Sequence, residues 1–207
     1  MLPLDHLVLA TPDLAATTSW FAEATGVAPT PGGQHVAFGT RNELVALSDS
    51  SYLEIIGPDL TQDKPAGARP FGIDQLAEAR LVTFAVKAED LQGHVDRCAS
   101  AGLDIGAAID MSRAKPDGTL LEWSLTVSVP DGPIRPIPFL IDWRGAPSPA
   151  LSSASGVSLV DMSAQHPSPD DLSSQLETLG VQLFVSQGPE ASLAATLSTP
   201  AGEITLC

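Results

Sequence analysis

The chain switches between two hydrophobic periods, and the switch recurs three times. Leu4-Asp-His-Leu-Val-Leu-Ala alternates as a short strand does. It is followed by a turn and a helix opened by Asp13 as N-cap, with Leu14, Thr17, Thr18 and Phe21 on one face and a stop at Gly26. Leu81-Val-Thr-Phe-Ala-Val-Lys repeats the strand, Leu91, His94, Val95 and Cys98 repeat the helical stripe, and Gly102 ends it. The third pass begins at Val157-Ser-Leu-Val, places Leu172, Gln175, Leu176 and Leu179 on one helix face after Asp170 and Asp171, and stops at Gly180. Beyond each glycine the period returns to two, broken by turn residues into three short strands. These are predicted around 35–39, 44–48 and 52–57, around 105–110, 119–129 and 139–143, and around 181–186, 192–198 and 203–206.

The pattern predicts an α+β fold of repeated βαβββ modules. Module one spans 2–58 and module two 80–146; the two pair around a cup-shaped mixed sheet as one domain, 2–146. A third, degenerate module spans 156–207. The turn-rich stretches 59–70 and 145–156 read as loops, and the second as the domain boundary. Alternation also assigns faces. His6 shares a face with Leu4 and Val8, opposite Asp5, Leu7 and Leu9; Tyr52, Glu54 and Ile56 share one opposite Leu53 and Ile55. If Leu7 and Leu9 cover the helix, His6 faces the cup. Glu54 then requires a partner there, because an unpaired carboxylate in an apolar strand costs several kcal/mol.

Composition narrows the chemistry. The 207 residues are 43% hydrophobic, enough for a substantial core, and 25 acidic against 10 basic side chains give a net charge of −15. Nucleic acid and anionic membrane surfaces are repelled at long range, and no apolar run is long enough to span a bilayer. A soluble, cytoplasmic protein is expected. Cys98, in a helix, and Cys207 offer neither a disulfide framework nor a zinc cluster. Phosphate loops, dinucleotide fingerprints, His-Glu-x-x-His and the nucleophile elbow are all absent from the sequence.

The repeated module, with Leu-Asp-His6-Leu-Val at the start, then Gly32-Gly-Gln-His35-Val-Ala-Phe-Gly39-Thr-Arg-Asn42 and Tyr52-Leu-Glu54-Ile-Ile-Gly57, resembles the vicinal oxygen chelate superfamily. Within it the likeness is to glyoxalase-like domain proteins, relatives of glyoxalase I, bleomycin-resistance proteins and extradiol dioxygenases. It covers 2 to about 146, and the third unit matches only in layout. The resemblance implies a divalent metal (Zn, Mn, Fe, Ni or Co) in the cup, with His6, Glu54 and Asp142 as ligands, while the remaining ligand position falls on Thr83, a poor donor. It further implies a metal-dependent lyase, isomerase or dioxygenase acting on a small oxygenated molecule, with His35 as acid/base and Asp142 as a ligand or base. The alternative is a metal-free protein that sequesters a small amphipathic compound. A third reading fills the cup with its own side chains and acts through an interface.

Other residues carry weaker expectations. Arg113, between two strands, is a candidate clamp for a substrate carboxylate or a loop arginine paired with Asp110 or Asp117. Trp123 is a candidate cavity wall, with Trp143 directed away from Asp142 into packing. Asn42 and Thr40 are assigned to the hairpin, and His94 and His166 to structural or solvated positions. The unpaired third module leaves a sheet face or edge that the first two modules or another chain must cover, which keeps a homodimer open.

Overall fold

The computed structural model describes residues 1–63, 65–114, 120–127 and 134–207, with the side chains of 113, 114 and 120 outside that description. In module one β1 (Leu4–Ala10) leads through a turn to α1 (Leu14–Thr25), where the Asp13 carboxylate accepts from the backbone N–H of Ala16 and Gly26 closes the helix in the left-handed region. Then come β2 (Thr30–His35), β3 (Thr40–Ala46) and β4 (Tyr52–Pro58). Module two repeats the order as β5 (Arg80–Lys87), α2 (Leu91–Ser100), β6 (Ala107–Ala114), β7 (Leu120–Val127) and β8 (Phe139–Asp142). The third unit is β9 (Ser158–His166), α3 (Pro169–Leu179), β10 (Phe184–Gln187), β11 (Ser192–Thr199) and β12 (Gly202–Leu206).

The first eight strands form one curled sheet in the order β2-β3-β4-β1-β5-β8-β7-β6. Within each half the first strand lies parallel to the fourth, and the halves join through the antiparallel pair β1–β5. One face of this sheet carries Leu7, Leu9, Leu53, Ile55, Phe84 and Leu140. It packs against the helices in a continuous core that includes Leu172, Leu176, Leu193 and Leu197 of the third unit. The opposite face is the inner surface of the cup.

Three local findings depart from the sequence pattern. The strand expected at 35–39 begins earlier, at Thr30; residues 36–38 form a single 3-10 turn, and Gly39 (φ 59) reverses the chain. Thr30-Pro-Gly-Gly-Gln-His lacks the apolar positions that reveal alternation. The third unit keeps the element order of the other two but pairs differently, as β10-β9-β11-β12, with β9 and β10 parallel neighbours across α3. Finally, the first turn-rich stretch, continued as far as Leu76, and the second both cover the inner surface. Ile73, Phe71 and Leu76 pack on Val8, Ala10, Ile56 and Val82, and Ala150 packs on Leu44, Ala46 and Tyr52. The second cover is pinned by backbone: the N–H of Ala46 donates to the Ala154 carbonyl at 2.7 Å, and the Ala154 N–H donates to Thr30 Oγ1 at 2.8 Å. No helix among the described residues is long and apolar enough to cross a membrane.

Candidate functional site

His6 and Glu54 meet on the inner surface. Parallel pairing of β1 with β4 sets His6 opposite Tyr52 and Val8 opposite Glu54, so the imidazole and the carboxylate come from neighbouring strands, two residues apart in register. His6 Nε2 lies 3.7 Å from Glu54 Oε2. Both residues are nearly buried, at 4% and 7% exposure. The imidazole stacks on Tyr52 with centroids 4.7 Å apart and meets the edge of Phe139 at 5.4 Å. Glu54 Oε1 accepts from Asn42 Nδ2 at 2.5 Å, and Asn42 Oδ1 in turn accepts from the N–H of Gly33 at 2.9 Å. Asn42, expected only to shape the hairpin, therefore anchors the carboxylate. The phase of β3 was the available signal, since Leu44 pairs directly with Glu54 and Asn42 shares its face.

Asp5 also reaches this site, where alternation assigned it to the other face. The β1–β5 register steps from Leu4/Val86 to His6/Ala85, leaving Asp5 as an extra residue in a bulge, and a bulge re-aims a side chain. Its carboxylate is fully buried. Oδ1 accepts from His6 Nδ1 at 2.6 Å, Oδ2 accepts from Trp143 Nε1 at 2.9 Å, and Lys87 Nζ lies 3.7 Å away.

The remaining candidates are dispersed. Phe139 joins His6, and Ile141 joins Ala85 and Trp123 on the inner surface, while Leu140 packs into the opposite core. Asp142 consequently turns with Leu140 away from His6 and Glu54, where its Oδ1 accepts from the N–H of Arg144 at 2.8 Å. The expectation for Asp142 as a third ligand is corrected by the phase of β8, and the same phase brings Trp143 inward. Trp143 lies 5.6 Å from the ring of Trp123, which is buried against Leu121 and Ile141. His35, on edge strand β2, has its Nδ1 3.2 Å from Thr40 Oγ1 and stands two strands from Glu54. The Arg113 side chain, with Asp117, lies outside the described residues. Burial, reinforced by Arg97, lowers the pKa of His94, and burial raises that of the Cys98 thiol. Surface clefts of about 450 and 510 Å³ border β9/α3/β10 and α1/β5/β12, and neither is lined by His6 or Glu54.

A family profile described as the glyoxalase-like domain matches residues 4–180. The chain belongs to the glyoxalase-like domain family. Its two-module sheet is the architecture of the vicinal oxygen chelate superfamily. Among solved structures, this glyoxalase-like protein is similar to a hypothetical protein from Staphylococcus aureus (TM-score 0.66, 17% identity, 99% of this chain and 84% of that one). It is also similar to a mutant of 4-hydroxymandelate synthase from Streptomyces coelicolor (0.51, 15%, 99% and 62%) and to methylmalonyl-CoA epimerase from Mycobacterium tuberculosis (0.45, 18%, 72% and 91%). At such identities the likeness is one of fold. No curated protein matches the sequence.

Among the described residues the donor set of this glyoxalase-like protein does not fit the metal its superfamily implies. A catalytic divalent ion takes about three protein donors and keeps an open position. Here His6 Nδ1 is engaged by Asp5 and Glu54 Oε1 by Asn42, which leaves Nε2 and Oε2. Asp142 faces elsewhere, and Thr83, paired with Val8, contributes only a neutral hydroxyl. Among the described residues no group of three His, Cys, Asp or Glu side chains is placed to hold an ion.

Proposed function

We propose that this glyoxalase-like protein is a metal-independent acid–base enzyme, a lyase or isomerase, acting on a small oxygenated molecule. The observation that carries the reading is the 3.7 Å approach of His6 Nε2 to Glu54 Oε2, with the opposite atom of each group already held by Asp5 and by Asn42. Two titratable groups so placed can divide a proton transfer between them. One removes a proton from the carbon next to a carbonyl, and the other returns it to that carbon or to an adjacent atom. Isomerisation then needs no further reactant. Tyr52 and Phe139 supply an apolar surround that excludes water and strengthens the charges within it.

The test is exchange of the carbon-bound proton of small ketones and hydroxyketones in D2O, followed by NMR, with metal content measured in parallel. Exchange that survives a chelator and falls about 10²–10⁴-fold in His6→Gln and in Glu54→Gln is expected. Near-stoichiometric metal in the purified protein, with activity lost on chelation and restored by Mn, Fe, Co, Ni or Zn, would overturn it. The same aromatic lining favours a second reading, sequestration of a small amphipathic compound. That reading expects ligand-dependent thermal stabilisation with chelator present and no turnover.

A further inference from the structure

The geometry points to Asp5 as the positioning residue that makes Nε2 the working nitrogen of His6, with Trp143 as the brace that holds Asp5 in place. The inference rests on the acid–base reading of the pair. An ionised carboxylate only accepts hydrogen bonds, so the 2.6 Å contact with Asp5 Oδ1 requires the proton on His6 Nδ1. The other ring nitrogen is then left to gain and lose a proton on the side of Glu54. Tyr52 and Phe139 contact the imidazole through their rings, so they restrict its tilt without choosing its tautomer.

A carboxylate with no exposed surface survives only where its lone pairs are matched. Asp5 has three such neighbours. His6 comes from its own strand, Lys87 from β5, and Trp143 from the residue that follows β8. Trp143 is itself set by Arg144, whose backbone N–H donates to Asp142 Oδ1 and whose guanidinium bonds Ser124 and Asp110. The orientation of an imidazole in module one is thereby fixed by the last strand of module two. Neither half carries the complete device.

Nitrogen-15 long-range NMR of the histidine-labelled full chain reads the tautomer directly, with His6 assigned by its loss in His6→Gln. The neutral ring is expected as the Nδ1–H form. Asp5→Asn offers an amide that can accept from only one of the two donors, and with its oxygen toward Trp143 it should move the proton to Nε2. Trp143→Phe should keep the Nδ1–H form and accelerate exchange of that proton with water. Wild-type His6 found as the Nε2–H tautomer overturns the inference, as does an unchanged ring spectrum in folded Asp5→Asn. An unchanged exchange rate in Trp143→Phe removes the brace. Should Asp5→Asn fail to fold, the wild-type and Trp143→Phe spectra still decide. Because the spectra need no substrate, a wrong tautomer leaves the acid–base reading to stand or fall on its own exchange assay. A failed assay, in turn, leaves the tautomer result intact.

Discussion

Gly32 has no room for a side chain, because a β-carbon built there would fall on the Oδ1 of Asn42, the atom that accepts from Gly33 while its amide partner holds Glu54. Gly32→Ala should therefore displace Asn42 and cost about 1–3 kcal/mol through overpacking, measured by denaturant titration. Asn42→Leu removes the donor and leaves the nearly buried carboxylate short of a partner, which is expected to cost about 1–3 kcal/mol by the same measurement. The meeting of His6 with Glu54 was legible because strand period alone assigns faces where pairing is regular. Asp5 and Asp142 were misassigned for two physical reasons. A one-residue bulge in β1 carries no compositional mark, and the four residues of β8 are too few to show which of Phe139-Leu-Ile-Asp is the inward phase.

The three helices were legible element by element. The side chains buried in α1 are Leu14, Thr17, Phe21 and Thr25, those in α3 are Leu172, Leu176 and Leu179, and the glycine after each helix has a left-handed φ of 76 to 78°. The covers of the cup were not, because turn residues look the same whether a segment waves in solvent or is pinned. The first cover starts at Asp59, a buried carboxylate that Thr61, Gln62 and Gln34 bond. Burial alone would raise its pKa, but the hydrogen bonds from Gln62, Thr61 and Gln34 outweigh it and bring it from 3.8 to about 2. A depressed carboxyl contributes stability that is complete above its unfolded value and is lost as the pH falls through the folded one. Asp59→Asn should thus lower the melting temperature at pH about 6, with the gap narrowing toward pH about 2; a gap independent of pH would contradict the assignment. For the second cover, Thr30→Val removes the acceptor of the Ala154 N–H. The expected loss is about 1 kcal/mol, with faster modification of His6 by diethyl pyrocarbonate as Ala150 lifts from Tyr52.

At the scale of the whole chain, element order was readable and wiring was not. Strand–helix–three strands describes all three units, yet β9 and β10 are adjacent and parallel, whereas β1 and β2 stand at opposite ends of their half-sheet. A helix that crosses between neighbouring parallel strands needs no distinctive sequence. The consequence is mechanical as well as topological. The third unit directs its helix-covered face at the first sheet, so Leu193, Ala195 and Leu197 share one buried cluster with Leu7, Phe21 and Leu81. The ends also interlock: the Leu81 N–H donates to the Cys207 carbonyl, and that of Leu2 to Gly180. A shared core of this kind should melt as one. Leu193→Ala, at 1% exposure, is expected to cost about 2–5 kcal/mol. Trp20 borders the cleft shared with β12, so in a Trp20→Phe background the fluorescence of Trp123 and Trp143 reports the large sheet, while far-ultraviolet circular dichroism reports the entire chain. If the core is common, the substitution shifts both midpoints equally. An early transition seen only by circular dichroism, with the tryptophan midpoint unmoved, would mean that the third unit unfolds by itself and that the large sheet tolerates losing its outer layer.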